Sequence, residues 1–344
     1  PPLGRDGAAR RRMTHEPTGP LPRLAAVVGP TAPGKSRLAV ALAERLGLAV
    51  LCCDSVQVYR GLDIGSAKVD LATRARVPHH LLDLVDPDQE FTAGDYAEHA
   101  WHQLARGPGL FAGGTGLYLR SVAVTHSAPD PLADAPASDR RRAEFTSAWE
   151  AREREQPGSL HAELARRDPD VAATIHPRNL VRAARALWLC EVHGRPVSQV
   201  RADDPPRSRC DLFTIVLDPD LALLDRAIDD RCQGMIRAGL VDEVSSLVSR
   251  GYDARHRSMR SLGYRQILDV LAGQQPLAHA VASIQQETRR YARRQRTYFR
   301  HQLAAASSVT VTEPIWLMDQ VAVDAAAAGL AAEVAAFLAG GPRA

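Results

Sequence analysis

The feature that most constrains this chain is the octapeptide Gly-Pro-Thr-Ala-Pro-Gly-Lys-Ser at residues 29–36, which fits the pattern G-x-x-x-x-G-K-[S/T]. An apolar run at residues 24–28 precedes it, and Leu38, Leu42 and Leu46 follow it at helical spacing. In such a loop, successive backbone N–H groups surround phosphate oxygens, and the following helix adds the positive end of its dipole. The octapeptide therefore predicts a strand, a phosphate-binding loop and a helix, and it indicates a polyphosphate ligand without specifying the reaction.

The alternation of strands and helices continues along the chain, because a second apolar run at residues 48–53 follows the predicted helix. This order is typical of a parallel sheet that carries helices on its faces. Further candidate strands are the short runs 80–84, 110–112 and 213–217. We therefore expect an α/β fold with a P-loop NTPase-like parallel sheet flanked by helices.

The region from 126 to 205 differs from the rest of the chain, since it is charged, has helical patterns at 140–155, 160–167 and 181–193, and shows no convincing strand pattern. We interpret it as an all-helical insertion domain. The catalytic core then consists of residues 22–125 and 206–344. Residues 1–21 are rich in Pro, Gly and Arg and are predicted to be a disordered leader.

Composition argues against several classes of protein. The five cysteines have neither C-x-x-C spacing nor an even count, so a disulfide framework or a zinc site is not expected. A reducing cytosol is the simplest environment for such a chain. The apolar stretch at 321–338 is interrupted by Asp324 and Glu333, and we therefore expect no membrane span. The prediction is a cytoplasmic monomer.

Two segments beyond the octapeptide follow predicted strands and should reach the same edge of the sheet, where parallel sheets bind ligands. Asp54 follows the second strand, at a position from which a carboxylate can take a proton; the alternative is a helix-capping aspartate. The glycine-rich turn at 113–116 carries one hydroxyl, that of Thr115. Only two of the 43 Lys and Arg residues are lysine, Lys35 and Lys68, and we expect Lys68 to add positive charge near the cleft.

Arginines mark one face of the last predicted helix before residue 301. They recur at helical spacing as Arg289, Arg293, Arg296 and Arg300, and two more, at 290 and 294, lie beside them. Such a stripe can neutralise nucleic-acid phosphates, whereas the alternative is an ordinary solvated face.

In their order, these segments resemble the tRNA dimethylallyltransferases. The resemblance runs from about residue 24 to residue 300 and is carried by 29–36, 54–68, 78–83, 113–118, 176–177 with Arg182 and Arg185, 263–266 and 295–300. The block 54–68 is its most specific part. The resemblance implies transfer of a dimethylallyl group from dimethylallyl diphosphate to the exocyclic N6 amine of the adenosine 3′-adjacent to the anticodon of tRNA, with release of diphosphate.

The resemblance also implies roles for individual residues. Asp54 would take the proton of the adenine amine and Thr115 would orient the reacting groups, while Lys35 and Arg231 would stabilise the charge that develops on diphosphate. Diphosphate would be bound by Gly29, Pro30, Thr31, Ala32, Pro33, Gly34, Lys35 and Ser36, with Mg²⁺ at Ser36. The anticodon stem-loop would be bound by Asp54, Ser55, Val56, Gln57, Val181, Arg182, Ala183, Ala184, Arg185, Arg260, Ser261, Leu262, Gly263, Tyr264 and Arg265.

The sequence departs from the family pattern at Pro33, where the family has Ser and where proline removes one loop N–H, and at Ala227, where it has Arg. Other functions remain open from the residues alone. Prenyl transfer to free adenine nucleotides would need no anticodon-loop surface. A small-molecule P-loop kinase would leave the block 54–68 unexplained, and a non-catalytic RNA-binding protein would not need an intact Lys35, Asp54 and Thr115.

Overall fold

The computed structural model of the chain describes residues 20–125, 138–303 and 307–340. Most of the predicted leader, residues 1–19, lies outside the described residues. By its internal contacts the chain divides into two compact units. One consists of Leu21–Val124 and Arg209–Ala344, and the other includes Thr125–Ser208.

The first unit is built on a six-stranded sheet. Its strands are β1 (Arg23–Val28), β2 (Ala49–Cys53), β3 (His79–His80), β4 (Gly109–Gly113), β5 (Asp211–Leu217) and β6 (Ser307–Val311). The strand order is β3-β2-β4-β1-β5-β6, and every pairing between neighbours is parallel. The expected α/β fold with a parallel sheet is therefore confirmed.

Helices surround this sheet and form the second unit. In chain order they are α1 (Lys35–Leu46), α2 (Leu71–Arg76), α3 (Ala93–Leu104), α4 (Gly116–Ala123), α5 (Ser138–Glu155), α6 (Ser159–Arg167), α7 (Pro169–Thr174), α8 (Leu180–His193), α9 (Val197–Asp203), α10 (Leu221–Arg237), α11 (Leu240–Ser249), α12 (Tyr264–Leu271), α13 (Leu277–His301) and α14 (Gln320–Leu338). Helices α5 to α9 lie in the second unit, where they share their own apolar core and the described residues contain no strand.

The core of the first unit lies on both faces of the sheet. Alternate residues of β1 point to opposite faces, so that Leu24, Ala26 and Val28 belong to one apolar cluster, while Ala25 and Val27 belong to the other. Because both faces are covered, the central strand is apolar at every position after its first, which is the pattern that made it recognisable in the sequence.

Helix α14 is, by length and composition alone, the one helix among the described residues that is apolar enough to cross a membrane. Its Val323, Ala327, Val334 and Phe337 are buried, and the helix packs against α1 in the second apolar cluster.

Two strand predictions differ from the structure. The run 80–84 was expected to be a strand, but β3 ends at His80, because Leu81 and Asp83 adopt left-handed backbone angles (φ 65° and 52°) that interrupt a strand. Strand β6 was not predicted, since its sequence Ser-Ser-Val-Thr-Val has no apolar run. It nevertheless pairs with β5 at the edge of the sheet.

Candidate active site

The central strands end at one level, and this brings the predicted site residues together. Val28 of β1 is paired with both Gly113 of β4 and Val216 of β5, and Gly113 is also paired with Cys53 of β2. The loops that begin after these strands therefore start side by side at the carboxyl edge of the sheet. This confirms the expectation that the octapeptide, Asp54 and the glycine-rich turn share one edge.

The phosphate-binding loop leaves the beginning of α1 open to a ligand. Gly34, the N-cap, has φ 91° and no side chain to cap the helix, and the first turn contains no acidic residue. The first N–H groups of α1 are therefore available to an anion. Ala32 also adopts a left-handed conformation, with φ 73°, which is rare for a residue with a side chain and typical of functional loops. The loop lines a cavity of about 540 Å³.

Two cations face this cavity without a carboxylate partner among the described residues. Lys35 donates to the carbonyl oxygen of Pro30 in the loop itself. Burial, together with the nearby charge of Arg231, lowers the pKa of Lys35 to about 7, although Asp54 opposes this shift. Arg231 lies on α10 and lines the same cavity. Two cations held close together in this way favour a multivalent anion between them.

Asp54 is fixed by the loop that follows it. Its Oδ1 accepts hydrogen bonds from the backbone N–H groups of Val56 (2.8 Å) and Gln57 (3.3 Å). Among the described residues no group donates to Oδ2. No helix begins after Asp54, since the next helix is α2, so the alternative of a helix cap is wrong. One carboxylate oxygen holds a turn instead, and the other is left for a ligand.

A second cavity, of about 450 Å³, shares part of its wall with the first. Both cavities are lined by Thr31, Asp54, Ser66, Arg231 and Tyr291. Asp54 thus stands where the phosphate-binding cavity adjoins a second chamber. This arrangement allows two different substrates to approach one carboxylate from two sides.

Thr115 lies beside Asp54 because the glycine-rich turn is bonded to the end of β2. Its backbone N–H donates to the carbonyl oxygen of Cys53 (3.2 Å), and its Oγ1 accepts from the N–H of Ser55 (3.0 Å). The Thr115 side chain also forms a hydrogen bond with Tyr291. Burial raises the pKa of Tyr291 to about 12, and this hydrogen bond partly opposes the rise. The threonine hydroxyl is therefore held between the segment after β2 and Tyr291, which lines both cavities.

The second cavity joins two of the three segments predicted to bind tRNA. Its wall includes Ser55 and Val56 from one segment, and Arg260, Ser261, Leu262, Gly263 and Arg265 from the other. The third segment, 181–185, belongs to the other unit. There Val181 is 82% exposed in the first turn of α8, and Arg182 and Arg185 are exposed beside it.

Three of the residues predicted to bind tRNA have buried side chains. Ala183 and Ala184 lie on the inner face of α8, in the apolar core of its unit. Tyr264 is fully buried, and its hydroxyl donates to Glu243 (2.7 Å). These three side chains pack inside the protein, and their predicted role in tRNA binding stays a prediction.

Lys68 does not supply free charge to the cleft. Its side chain is 1% exposed, and its ammonium group donates to the carbonyl oxygen of Tyr59 (2.6 Å) and to the carboxylates of Asp63 (2.7 Å) and Asp83 (2.6 Å). An ammonium has three N–H donors, so all of them are used. Lys68 is a structural clamp that ties the block 54–68 to the loop after β3.

The arginine stripe of α13 is also paired. Each of its members meets an aspartate: Arg289 with Asp229, Arg293 with Asp225 (2.8 Å), and Arg296 and Arg300 both with Asp218. The stripe therefore docks α13 onto α10 and the end of β5, which corrects its interpretation as a phosphate-binding face. The two arginines beside it, Arg290 and Arg294, are exposed and line the second cavity.

Sequence reasoning assigned no role to two residues of α13 that the structure places at the site. Tyr291 lines both cavities, and Gln295 lines the first. They are four residues apart and share a helix face. Gln295 opens the motif 295–300 that carried part of the resemblance, so a signal for it was present, whereas Tyr291 was hidden among arginines.

The donor set at the loop fits Mg²⁺ bound together with a phosphate ligand. Among the described residues no group of three His, Cys, Asp or Glu side chains could hold a metal on its own. Mg²⁺ commonly uses one or two protein oxygens and completes its shell with phosphate oxygens and water. The hydroxyl of Ser36, an exposed residue in the wall of the same cavity as Asp54, is such an oxygen.

Comparison with known proteins gives a consistent result. A family model described as IPP transferase matches residues 57–302, and one described as isopentenyl transferase matches residues 22–76. The tRNA dimethylallyltransferase of Geobacter metallireducens is 44% identical over 291 residues, which cover 81% of this chain and 89% of the relative. That of Solibacter usitatus is 40% identical over 304 residues, which cover 86% and 92%.

Solved structures show the same similarity. A tRNA isopentenylpyrophosphate transferase from Bacillus halodurans is 32% identical, with a TM-score of 0.61 over 92% of this chain and 97% of that protein. A eukaryotic dimethylallyltransferase acting on tRNA has a TM-score of 0.73 over 94% of this chain and 81% of that protein. At 21% identity the second comparison supports the fold alone.

Proposed function

The chain belongs to the tRNA dimethylallyltransferase (IPP transferase) family, and from this premise we propose how its residues carry out the reaction. The enzyme transfers a dimethylallyl group to the N6 amine of the adenosine 3′-adjacent to the anticodon of tRNA. The observation that carries our assignment is the position of Asp54, between a cavity that suits diphosphate and a chamber lined by arginines.

The diphosphate of dimethylallyl diphosphate binds at the loop 29–36. The open first turn of α1, Lys35 and Arg231 supply the positive potential that its oxygens require. Mg²⁺ held at Ser36 would reduce the charge of the diphosphate further. Pro30 and Pro33 have no N–H group, so the loop binds through fewer amides than its length suggests.

The chemical step breaks the bond between the allylic carbon and the diphosphate oxygen and forms a bond from that carbon to N6. The electron pair of the broken bond remains on diphosphate, where Lys35 and Arg231 stabilise it. The proton of N6 passes to Asp54, whose Oδ2 is left without a donor by the turn. Thr115, held beside the same carboxylate, orients the reacting groups.

The adenine reaches Asp54 from the second chamber. It has to leave the stack of the anticodon loop to do so, at a cost of a few kcal/mol. Of the arginines in the chamber wall, Arg290 and Arg294 can meet the neighbouring phosphates, whereas Arg265 is paired with Glu287 (2.6 Å). The apolar residues Met235, Ile236 and Leu240 in the same wall suit a base. These features favour a polynucleotide over a free nucleotide as the acceptor.

The thiols support a proposal for the cellular setting. All five cysteines are free and buried in the structure, as expected of a protein in a reducing compartment. We place the enzyme in the cytoplasm as a monomer, acting on tRNA without a membrane.

The test is incubation with radiolabelled dimethylallyl diphosphate, Mg²⁺ and either unmodified tRNA or AMP. We expect label in tRNA alone. Label in AMP would move the assignment to free-nucleotide prenyl transfer, and label in neither acceptor would refute the assignment.

The Asp54→Asn variant tests the role of Asp54. It keeps the oxygen that holds the turn but removes the base, and turnover should fall ~10²–10⁴-fold with diphosphate binding nearly intact. Asp220→Asn is the matched control, because Asp220 caps α10 by a similar turn and is exposed outside both cavities. An unchanged rate in Asp54→Asn would remove this residue from catalysis.

A further inference from the structure

Gln295 joins the two loops that must act together in this reaction. The residue lies on α13 and is 7% exposed. Its Oε1 accepts a hydrogen bond from the backbone N–H of Thr31 (2.8 Å), and its Nε2 donates to the carbonyl oxygen of Gly114 (2.8 Å). One side-chain amide thus bridges the phosphate-binding loop and the residue immediately before Thr115.

The bridge is built tightly into the site. A Cβ atom added to Gly114 would lie 2.3 Å from Nε2 of Gln295, so any larger residue there would displace the amide. Because both polar ends of the Gln295 amide are satisfied in a buried place, its orientation is fixed. Glycine at 114 and glutamine at 295 are therefore matched to each other.

The bridge also changes which groups of the loop can bind diphosphate. The Thr31 N–H is used by Gln295, and Pro30 and Pro33 have none. Of residues 30–33, Ala32 alone therefore keeps an N–H group for diphosphate. The position of this part of the loop depends on the hydrogen bond that Thr31 donates to Gln295.

We propose that Gln295 is a positioning residue that sets the distance between the diphosphate in the loop and the hydroxyl of Thr115. The proposal rests on the proposed function and deepens it, because the leaving group and the groups at Asp54 must be aligned for the transfer. Displacement of reacting groups by about 1 Å can cost ~10²-fold in rate, so a bridge of this kind affects turnover more than affinity.

The Gln295→Glu variant tests this with almost no change of shape. Glutamate keeps an oxygen for the Thr31 N–H but turns a second oxygen towards the carbonyl of Gly114, where the two repel each other. We expect kcat to fall roughly 10–100-fold, while the affinity for dimethylallyl diphosphate, measured by calorimetry, changes by less than about threefold. Gln286→Glu, exposed on the same helix, is the matched control and should leave both quantities unchanged.

The pH dependence separates positioning from packing. Once protonated, the carboxyl introduced by Gln295→Glu can again donate to Gly114, so the ratio of variant to wild-type kcat should rise as the pH falls. The ratio is needed because other titratable or charged groups line the same cavity. They are Lys35 and Arg37 from α1, Asp54 and Lys68 after β2, Asp70 and Arg76 at α2, His79 from β3, Arg231 from α10 and Tyr291 from α13. Gln295→Met, which removes both hydrogen bonds, should show the loss of kcat without the recovery.

The proposal is overturned if Gln295→Glu has wild-type kcat. It is also overturned if kcat and affinity fall together with the melting temperature, at a ratio that does not change with pH, since that is the behaviour of a packing defect. Failure of the proposed function is distinguishable, because it would appear as absence of label transfer by the wild-type protein.

Discussion

The positive charges at the phosphate-binding cavity and those of the arginine stripe lie in the same unit but differ in their partners. Lys35 and Arg231 face the cavity with no carboxylate paired to either among the described residues. In the stripe of α13, in contrast, every arginine is paired with an aspartate. Cations without partners indicate an anion-binding site, whereas cations paired with carboxylates hold two structural elements together.

The difference also predicts opposite effects on stability. An unpaired cation removed from water costs free energy in the absence of a ligand, as the lowered pKa of Lys35 shows. A paired arginine offsets the free-energy cost of burying its aspartate partner. Although burial raises the pKa of Asp218, Arg300 and Arg296 hold that pKa below its ordinary value.

The largest expected effect is on catalysis. Arg231→Gln should lower kcat/KM by ~10²–10³-fold, because it removes a charge that stabilises the leaving diphosphate. Arg293→Gln removes a stripe arginine of the same charge, 47% exposed and paired with Asp225, and should change kcat/KM by less than about threefold. Steady-state kinetics with tRNA and dimethylallyl diphosphate measure both. Equal losses of kcat/KM in the two variants would mean that pairing with an aspartate does not distinguish structural arginines from catalytic ones.

The free energy of unfolding should fall when a stripe arginine is removed and rise when the cavity lysine is removed. Arg296→Met should lower the free energy of unfolding by roughly 2–4 kcal/mol, because Asp218, only 12% exposed, keeps Arg300 as its one remaining partner. Lys35→Met should raise the stability of the unliganded protein by roughly 1–2 kcal/mol, since it removes a charge that burial disfavours. Urea unfolding without diphosphate measures both changes, and a stabilising Arg296→Met would contradict the comparison.

The residues of the phosphate-binding cavity could be predicted from the sequence, whereas the ion pairs of the arginine stripe could not. The octapeptide, Asp54 and Thr115 each follow a buried strand directly, and parallel strands deliver such residues to one edge. The stripe arginines take their partners from Asp218, Asp225 and Asp229, which come 60 or more residues earlier and meet them only through tertiary packing. Lys68 escaped prediction in the same way, because Asp83 reaches it from the loop after β3.

The exposed arginines beside the stripe sharpen the comparison for tRNA. Arg290 and Arg294 line the second chamber, and neither makes an ion pair or a hydrogen bond with the residues that the structure describes. Arg290→Gln and Arg294→Gln should each reduce the slope of log K against log salt by about 1 for binding of the anticodon stem-loop. The matched variant Arg293→Gln should leave the slope unchanged. A slope that falls only in Arg293→Gln would restore the stripe as the phosphate-binding face.

The smallest effect is the uptake of protons when diphosphate binds. The folded, unliganded protein holds Lys35 with a pKa of about 7, so near pH 8 this side chain is mostly neutral, and it becomes protonated as an anion enters. Binding near pH 8 should therefore take up a proton, by an amount that vanishes well below pH 7, where Lys35 is already charged. Calorimetry in buffers of different ionisation enthalpy measures the uptake. Lys35→Arg is the control, because a guanidinium stays charged throughout and leaves only the protons that diphosphate itself binds. Equal uptake by Lys35→Arg and the wild-type protein would show that Lys35 is charged before the ligand arrives. Burial of the unpaired Lys35 ammonium would then cost no free energy that anion binding could recover.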